Sequence, residues 1–330
     1  MSDDSPVRAI VTHPAPDLDA LVSVYLLRRF GGDHFVGTDR CPLRFASPRE
    51  VEGAGGPEAL EAAGELVVDL GGGRFDNHPR PDREGSGDLD ASAAELVAEH
   101  LGIRQQPELD KLLSFCARQD LKGQSLRSRD PVDHAMAIPA IIDGLNRMFP
   151  DDGGAVYHAI EPVLDAIVTT ERAWFDAVAD AERGLREEVG GVQVLAMESA
   201  SSSAARAGRY CGADVLVVRY LPQGHVAFTI RRDGPLGAMT LDGLADRVRR
   251  AELAARGEVI PRALREVGMH GGWFLHQSRK ILNKGSPKAP DVPTTVLTLP
   301  DLHRLAIDEV RATRERRGRR GGGRKQGRRR

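Results

Sequence analysis

The chain predicts an α/β protein: a mostly parallel sheet in an N-terminal domain, a helical linker, and a smaller α/β C-terminal domain. Three observations carry this expectation. Short apolar runs alternate with helical periodicity over residues 1–125. Residues 130–188 read as helical, with little strand signal. Beyond Gly190-Gly191 strand patterns return among further helices. A chain of 330 residues is long enough for two ordinary domains with their own cores.

The elements follow in chain order. Residues 7–12 (VRAIVT) read as a buried strand, and LDALVSVYLLRRF places its apolar residues at helical period. A second apolar patch lies near residues 34–36. Residues 65–70 (ELVVDL) form a third strand that runs into Gly71-Gly72-Gly73. Those glycines lack the G-x-G-x-x-G spacing of a dinucleotide site and read as a tight turn. Helical patterns occupy residues 92–101 and 108–120. Residues 155–187 read as one long helix, with Pro162 confined to its early turns, and the domain boundary is expected near residue 188. Strand patterns at 192–197, 213–220 and 225–231 then accompany helical patterns at 241–256 and 299–311. No internal repeat is evident.

Composition excludes several classes. Hydrophobic residues make up 41% and charged residues 28%, as in soluble globular proteins, and no stretch is long enough to span a bilayer. The start, MSDDSPVRA, is acidic and lacks an apolar signal region. Cys41, Cys116 and Cys211 lie far apart without metal-type spacing and read as free thiols. A cytoplasmic location is expected. Residues 311–330 hold ten Arg and one Lys against one Glu, a net +10 within a chain of net −2, so the remainder carries −12.

The pattern His13-x-x-x-Asp17-x-Asp19 falls in the first strand-to-helix turn, where open α/β sheets bind ligands. Imidazole and carboxylates without cysteine suit manganese, iron or magnesium. In isolation Asp17 also fits a helix cap, with Asp19 in the electropositive first turn. Asp69 ends an apolar strand, so its carboxylate projects at the same sheet edge as His13. Asp76-Asn77-His78 adds a polar cluster a few residues on, and Asp120 closes a helix. Two carboxylates about 4 Å apart repel by roughly 4 kcal/mol at an effective dielectric of about 20. The −4 of Asp17, Asp19, Asp69 and Asp120 is matched by two divalent cations, which together can activate water against a phosphate.

These residues, in this order (His13-x-x-x-Asp17-x-Asp19-Ala20, Val68-Asp69, Asp76-Asn77-His78, then Asp120), resemble the motifs of the DHH phosphoesterase superfamily. The short step from Asp69 to Asp76 is most similar to its Myg-type exonuclease branch. The second half, with residues 226–231 and His270-Gly271-Gly272-Trp273, looks like the smaller DHH-associated domain. The resemblance implies one Mn²⁺, with Mg²⁺ or Fe²⁺ as alternatives, on His13, Asp17 and Asp69. It implies a second on Asp19, Asp69 and Asp120, with Asp69 bridging. The family's Asp-His-His triplet would add a ligand from its first His, but that position here is Asn77. Either the Asn77 amide serves as a weaker ligand, or His78 reaches the metal. His78 and Asp76 are the candidates for handling a phosphate oxygen or the leaving group.

In the second half, Gly271 and Gly272 with Arg231 and Arg232 read as a phosphate-holding edge. Arg231-Arg232-Asp233-Gly234 reads equally as an exposed hairpin turn. His276 and Arg279 are similar candidates, the run Ser278-Arg279-Lys280 resembling a basic motif of family II pyrophosphatases. His134, His158 and His225 stand alone and read as ordinary residues. The tail, residues 313–330, is expected to be disordered, and either contacts RNA or DNA through phosphates or merely solubilises the chain. The expected activity is metal-dependent hydrolysis of phosphodiesters in nucleic-acid ends or short oligonucleotides. The alternatives are a pyrophosphatase, a cyclic-dinucleotide phosphodiesterase, or an RNA-binding protein on an attenuated DHH scaffold.

Overall fold

The computed structural model describes residues 6–78, 90–123, 126, 128–235 and 239–326, with side chains through Arg316. The protein is α/β, and its chain divides into two units, residues 1–172 and 173–330.

The first unit contains β1 (Ala9–Thr12), α1 (Leu18–Phe30), β2 (Leu43–Phe45), α2 (Pro48–Gly53), α3 (Pro57–Ala62) and β3 (Glu65–Val67). After these come α4 (Ala93–His100), α5 (Pro107–Lys122), α6 (Pro131–Ala135), α7 (Ile138–Met148) and the start of α8 (Gly153–Arg183). Its sheet is parallel throughout, in the order β2-β1-β3. All four β1 residues are buried, which accounts for their unbroken apolar run. Helix α1 starts where Asp17 accepts the amide of Ala20, and residues 18–27 are all buried, closing the core with α4 and α5.

Two details of this unit differ from the sequence reading. Residues 34–36 are not a strand, because the bond from Thr38 N to Phe35 O and the positive φ of Gly37 turn the chain at once. The strand beside β1 is instead Leu43–Phe45. The third strand is also shorter, since Asp69 leaves the ladder with φ +51°.

The second unit contains the end of α8, then β4 (Leu185–Glu188), β5 (Gln193–Ser199), α9 (Ala204–Tyr210), β6 (Val215–Tyr220), β7 (His225–Ile230) and α10 (Asp242–Ala255). It ends with β8 (Gly268–His270), β9 (Trp273–Leu275), β10 (Ile281–Lys284) and α11 (Leu299–Gln326). Seven strands form one sheet in the order β4-β5-β6-β7-β10-β9-β8, antiparallel except for the β5–β6 pair. Helices α10 and α11 cover the apolar face built around Phe228, Trp273 and Leu282.

The division falls inside α8 rather than at residue 188. The first half of that helix buries Val156, Ile160, Leu164 and Val168 in the first core. Its second half packs Trp174 and Ala177 against Ala207, and Ala181 against the β5 side chains Leu195 and Met197. The tail departs from expectation as well: α11 continues through Gln326, into the segment whose composition predicted disorder. A helix needs no buried face to persist over a few turns when rooted in one. Arg and Lys are good helix formers, and Arg316 reaches back to Glu309 and Thr313. Among the described residues no helix is long and apolar enough to cross a membrane.

Candidate metal centre

The site lies in the first unit, where the carboxyl edges of β1 and β3 open onto a cleft of about 1070 Å³. His13 follows β1 directly, and Asp17 begins α1 four residues later. Asp69 follows β3, and its amide bonds the Phe75 carbonyl at 2.8 Å, closing the glycine loop between them. Its left-handed backbone is one that Asp tolerates better than most residues, and it turns the carboxylate into the site. Gly71 carries φ +72°, and a Cβ there would lie 2.9 Å from Val51 Cγ1, so the loop packs tightly on α2.

The Asp69 carboxylate is the centre of the arrangement. One oxygen lies 3.4 Å from His13 Nε2, which is itself 4.0 Å from Asp17 Oδ1. The other lies 3.7 Å from His78 Nδ1. The side chain is only 3% exposed, and that second oxygen has no hydrogen-bond partner. Ligand atoms of His13, Asp17 and Asp69 fall within 4.8 Å of one another, and so do those of Asp69, Asp76 and His78. Asp69 belongs to both groups.

Asp76 organises the second group. Its Oδ2 accepts the Gly72 amide at 2.5 Å, while its Oδ1 accepts the His78 amide and meets His78 Nδ1 at 2.8 Å. That contact leaves Nε2 as the free nitrogen of an imidazole lining the cleft. Asn77, at the position where a histidine is the implied ligand, donates Nδ2 to Asp120 Oδ2 at 2.7 Å. Its own amide oxygen is buried and unpaired. Eight buried side-chain polar atoms among the described residues lack a partner, and four of them belong to Thr12, Asp69, Asn77 and Gln119. These residues form the site or adjoin it in sequence. Orphans concentrated in this way are what a cation or an ordered ligand satisfies.

Asp19 is placed differently from the other candidates. Its two oxygens accept the Ala93 and Ala94 amides at 2.7 and 2.9 Å, at the start of α4, and the Cys116 thiol donates to it at 3.1 Å. It is buried, and among the described residues it joins neither of the two ligand groups. Cys116 carries no role in the sequence reading; it is buried one turn before Asp120 on α5, where its thiol meets Asp19. Asn146 of α7 is likewise absent from that reading; its Nδ2 holds the Pro16 carbonyl at 3.0 Å in the His13–Asp17 turn.

Burial and mutual repulsion shape the electrostatics of the site. Burial, then the neighbouring Asp69 charge, pushes Asp19 up to about 7 despite the amides and thiol that oppose the shift. Burial also raises Asp69 and Asp120, against hydrogen bonds from His13 and Asn77 respectively. For His78, burial works against the charged ring, but the Asp76 bond and the carboxylates of Asp76, Asp69 and Asp120 prevail and raise its pKa. His13 behaves alike, with Asp69 and Asp17 as the opposing groups. Imidazole nitrogens, carboxylates and an amide oxygen, two of these oxygens orphaned, form a donor set that fits hard or borderline divalent cations.

The second-unit candidates have the following contacts. Gly271 and Gly272, at φ +55° and +73°, make the two-residue turn of the β8–β9 hairpin between the paired His270 and Trp273. A Cβ on Gly272 would fall 2.3 Å from the buried Lys284 ammonium. Lys284 lies 3.4 Å from the buried Glu252 carboxylate. Arg231 pairs with Asp233 in an exposed turn, which matches the hairpin reading of that segment. Arg232 is exposed beside it. Arg279 donates to Asp242 at 2.7 Å, and His276 Nδ1 meets the Ser278 hydroxyl.

No family model matches the chain, and no curated protein matches it. Among solved structures it is similar to PggH, a pGpG-specific phosphodiesterase from Vibrio cholerae. That similarity has 12% identity and a TM-score of 0.29 over 93% of this chain and 99% of that one. It is also similar to the DHH domain of a member of a ribosomal-protein family, at 10% identity and a TM-score of 0.27. Coverage there is 75% of this chain and 79% of that one. At that level of identity and superposition, the geometry of the site itself carries the functional reading.

Proposed function

We propose that the first unit is a divalent-metal-dependent phosphoesterase of the DHH type, hydrolysing phosphodiester bonds in nucleic-acid ends or short oligonucleotides. The observation that carries this is Asp69. It is a buried carboxylate shared by two ligand groups, with one oxygen toward His13 and Asp17 and its unpartnered oxygen toward Asp76 and His78. His13, Asp17 and Asp69 would hold one cation, here read as Mn²⁺. Asp69 with His78 or Asn77, and Asp120, would hold another. When bound, such a pair activates water and neutralises charge on a phosphate.

The chain's own residues do the remainder. Asp76 fixes the His78 ring through Nδ1, so that Nε2 is directed away from Asp76. Against burial, the carboxylates of Asp76, Asp69 and Asp120 raise the pKa of His78. Where Asn77 rather than His78 holds the cation, this ring is the group placed to pass a proton to a phosphate oxygen or to the departing alkoxide. The Gly72 and His78 amides lock Asp76, so the ring is held before substrate arrives.

A cleft of about 1070 Å³ supports a nucleotide-sized substrate over pyrophosphate. The test is turnover of a 5′-phosphorylated dinucleotide, a short single-stranded RNA and pyrophosphate across a Mn²⁺ titration, with wild type beside Asp69→Asn. The dinucleotide or RNA should be cleaved, and Asp69→Asn should lose about 10³-fold or more in kcat/KM and bind Mn²⁺ more weakly. Turnover that survives Asp69→Asn defeats this assignment. Cleavage confined to pyrophosphate defeats the substrate class.

A further inference from the structure

A nucleic-acid phosphodiester is a polyanion, and among the described residues the cleft offers it His13 and His78 but no Lys or Arg side chain. Its described lining contains Asp17, Glu52, Asp69, Asp76 and Asp120 but neither Lys nor Arg. Three basic groups of the second unit are paired with acids: Arg231 with Asp233, Arg279 with Asp242, Lys284 with Glu252. At the root of the α11 extension the same holds. Arg311 pairs with Glu187, Arg314 donates to the Gly190 carbonyl, and Arg316 pairs with Glu309.

The sequence changes character beyond Arg316. Residues 317–330 contain seven Arg and one Lys with no Asp or Glu, a net +8 in fourteen residues, which leaves −10 on the rest of the chain. The only other residues in this segment are Gly and one Gln. No apolar side chain is present to enter a bilayer, and no aromatic ring to stack on a base. What remains is charge complementary to phosphate, joined to an acidic body and rooted in the end of α11.

We propose that residues 317–330 form an electrostatic arm that binds nucleic acid through its phosphates without reading bases. Its binding does not depend on the hydrolytic reading, because it requires no metal and no turnover.

The test is fluorescence anisotropy of a labelled single-stranded RNA of mixed sequence, with full-length protein and no added metal, across 50–400 mM KCl. Each phosphate neutralised on a single strand contributes about −0.7 to the slope of log K against log salt, so eight charges give a slope approaching about −6. The variant combining Arg317→Gln, Arg319→Gln, Arg320→Gln and Arg324→Gln keeps the chain length and should be shallower by about 2.8. Between 200 and 50 mM salt, its disadvantage against wild type should therefore grow about 50-fold. Unchanged thermal melting of the variant confirms that the body is intact. Equal slopes for the two proteins overturn the proposal. So does equal affinity for phosphatidylserine vesicles and RNA at the same ionic strength, with both lost together in the variant, since that behaviour belongs to a general anion binder.

Discussion

Asp69 in the first unit and Arg249 in the second are both charged and both buried, yet their surroundings treat them in opposite ways. Every nitrogen of the Arg249 guanidinium is bonded: Nε to the Trp273 carbonyl, Nη1 to those of Leu264 and Glu266, and Nη2 to those of Gly268 and Trp273. Asp69 keeps an oxygen with no hydrogen-bond partner, beside Asp19 and Asp120, whose pKa values burial raises. A buried charge whose valences are filled staples a fold, and one left short marks a place where something else binds. The comparison extends outward. Around Asp69 the loops bring acids together against their mutual repulsion, whereas Asp233, Asp242 and Glu252 each neutralise a base, Arg231, Arg279 and Lys284 in turn.

The comparison can be broken at three points, taken by size. Arg249→Met leaves four loop and strand carbonyls without their donor, and the second unit should lose about 3–5 kcal/mol of stability. Denaturant melts followed by the Trp273 signal would show it, while Mn²⁺ affinity stays unchanged. A loss below about 1 kcal/mol would mean that the carbonyls find water, and the staple reading would fail. Asp76→Asn should leave folding nearly intact but free the His78 ring, lowering kcat about 10- to 100-fold with little change in KM. An effect on KM alone would place His78 in binding rather than proton transfer. Arg279→Gln removes only a partly exposed pair with Asp242, and its stability should change by less than about 1 kcal/mol. A large loss of turnover instead would return Arg279 to the site from which its pairing removes it.

Much of the site was legible because its residues are near neighbours in sequence at the ends of strands. His13, Asp17 and Asp69 sit where apolar runs stop, and the structure brings all three within ligand distance of one another. The choice between Asn77 and His78 was not legible. It turns on side-chain direction: the Asn77 amide nitrogen is turned to Asp120, its oxygen staying unpaired, and the His78 ring is turned onto Asp76 within 3.7 Å of Asp69. The surroundings of Asp19 were not legible either: α4 arrives from seventy-four residues away and offers its carboxylate two amides. No local pattern announces that encounter. Glycine pairs were equally ambiguous: Gly271-Gly272 suits an anion cradle as well as a hairpin, and only the β8–β9 register with Lys284 beneath it decides for the turn.

Periodicity and composition by themselves determined the α/β class, the parallel first sheet, the long helix, the acidic body and the basic end. Each of these is a property of residues close together in the chain or of their sum. The tertiary structure alone decided where α8 passes from one core to the other, which carboxylates converge, and which charges are already neutralised. Those outcomes depend on contacts between distant segments, where burial removes water and makes every unpaired polar atom costly.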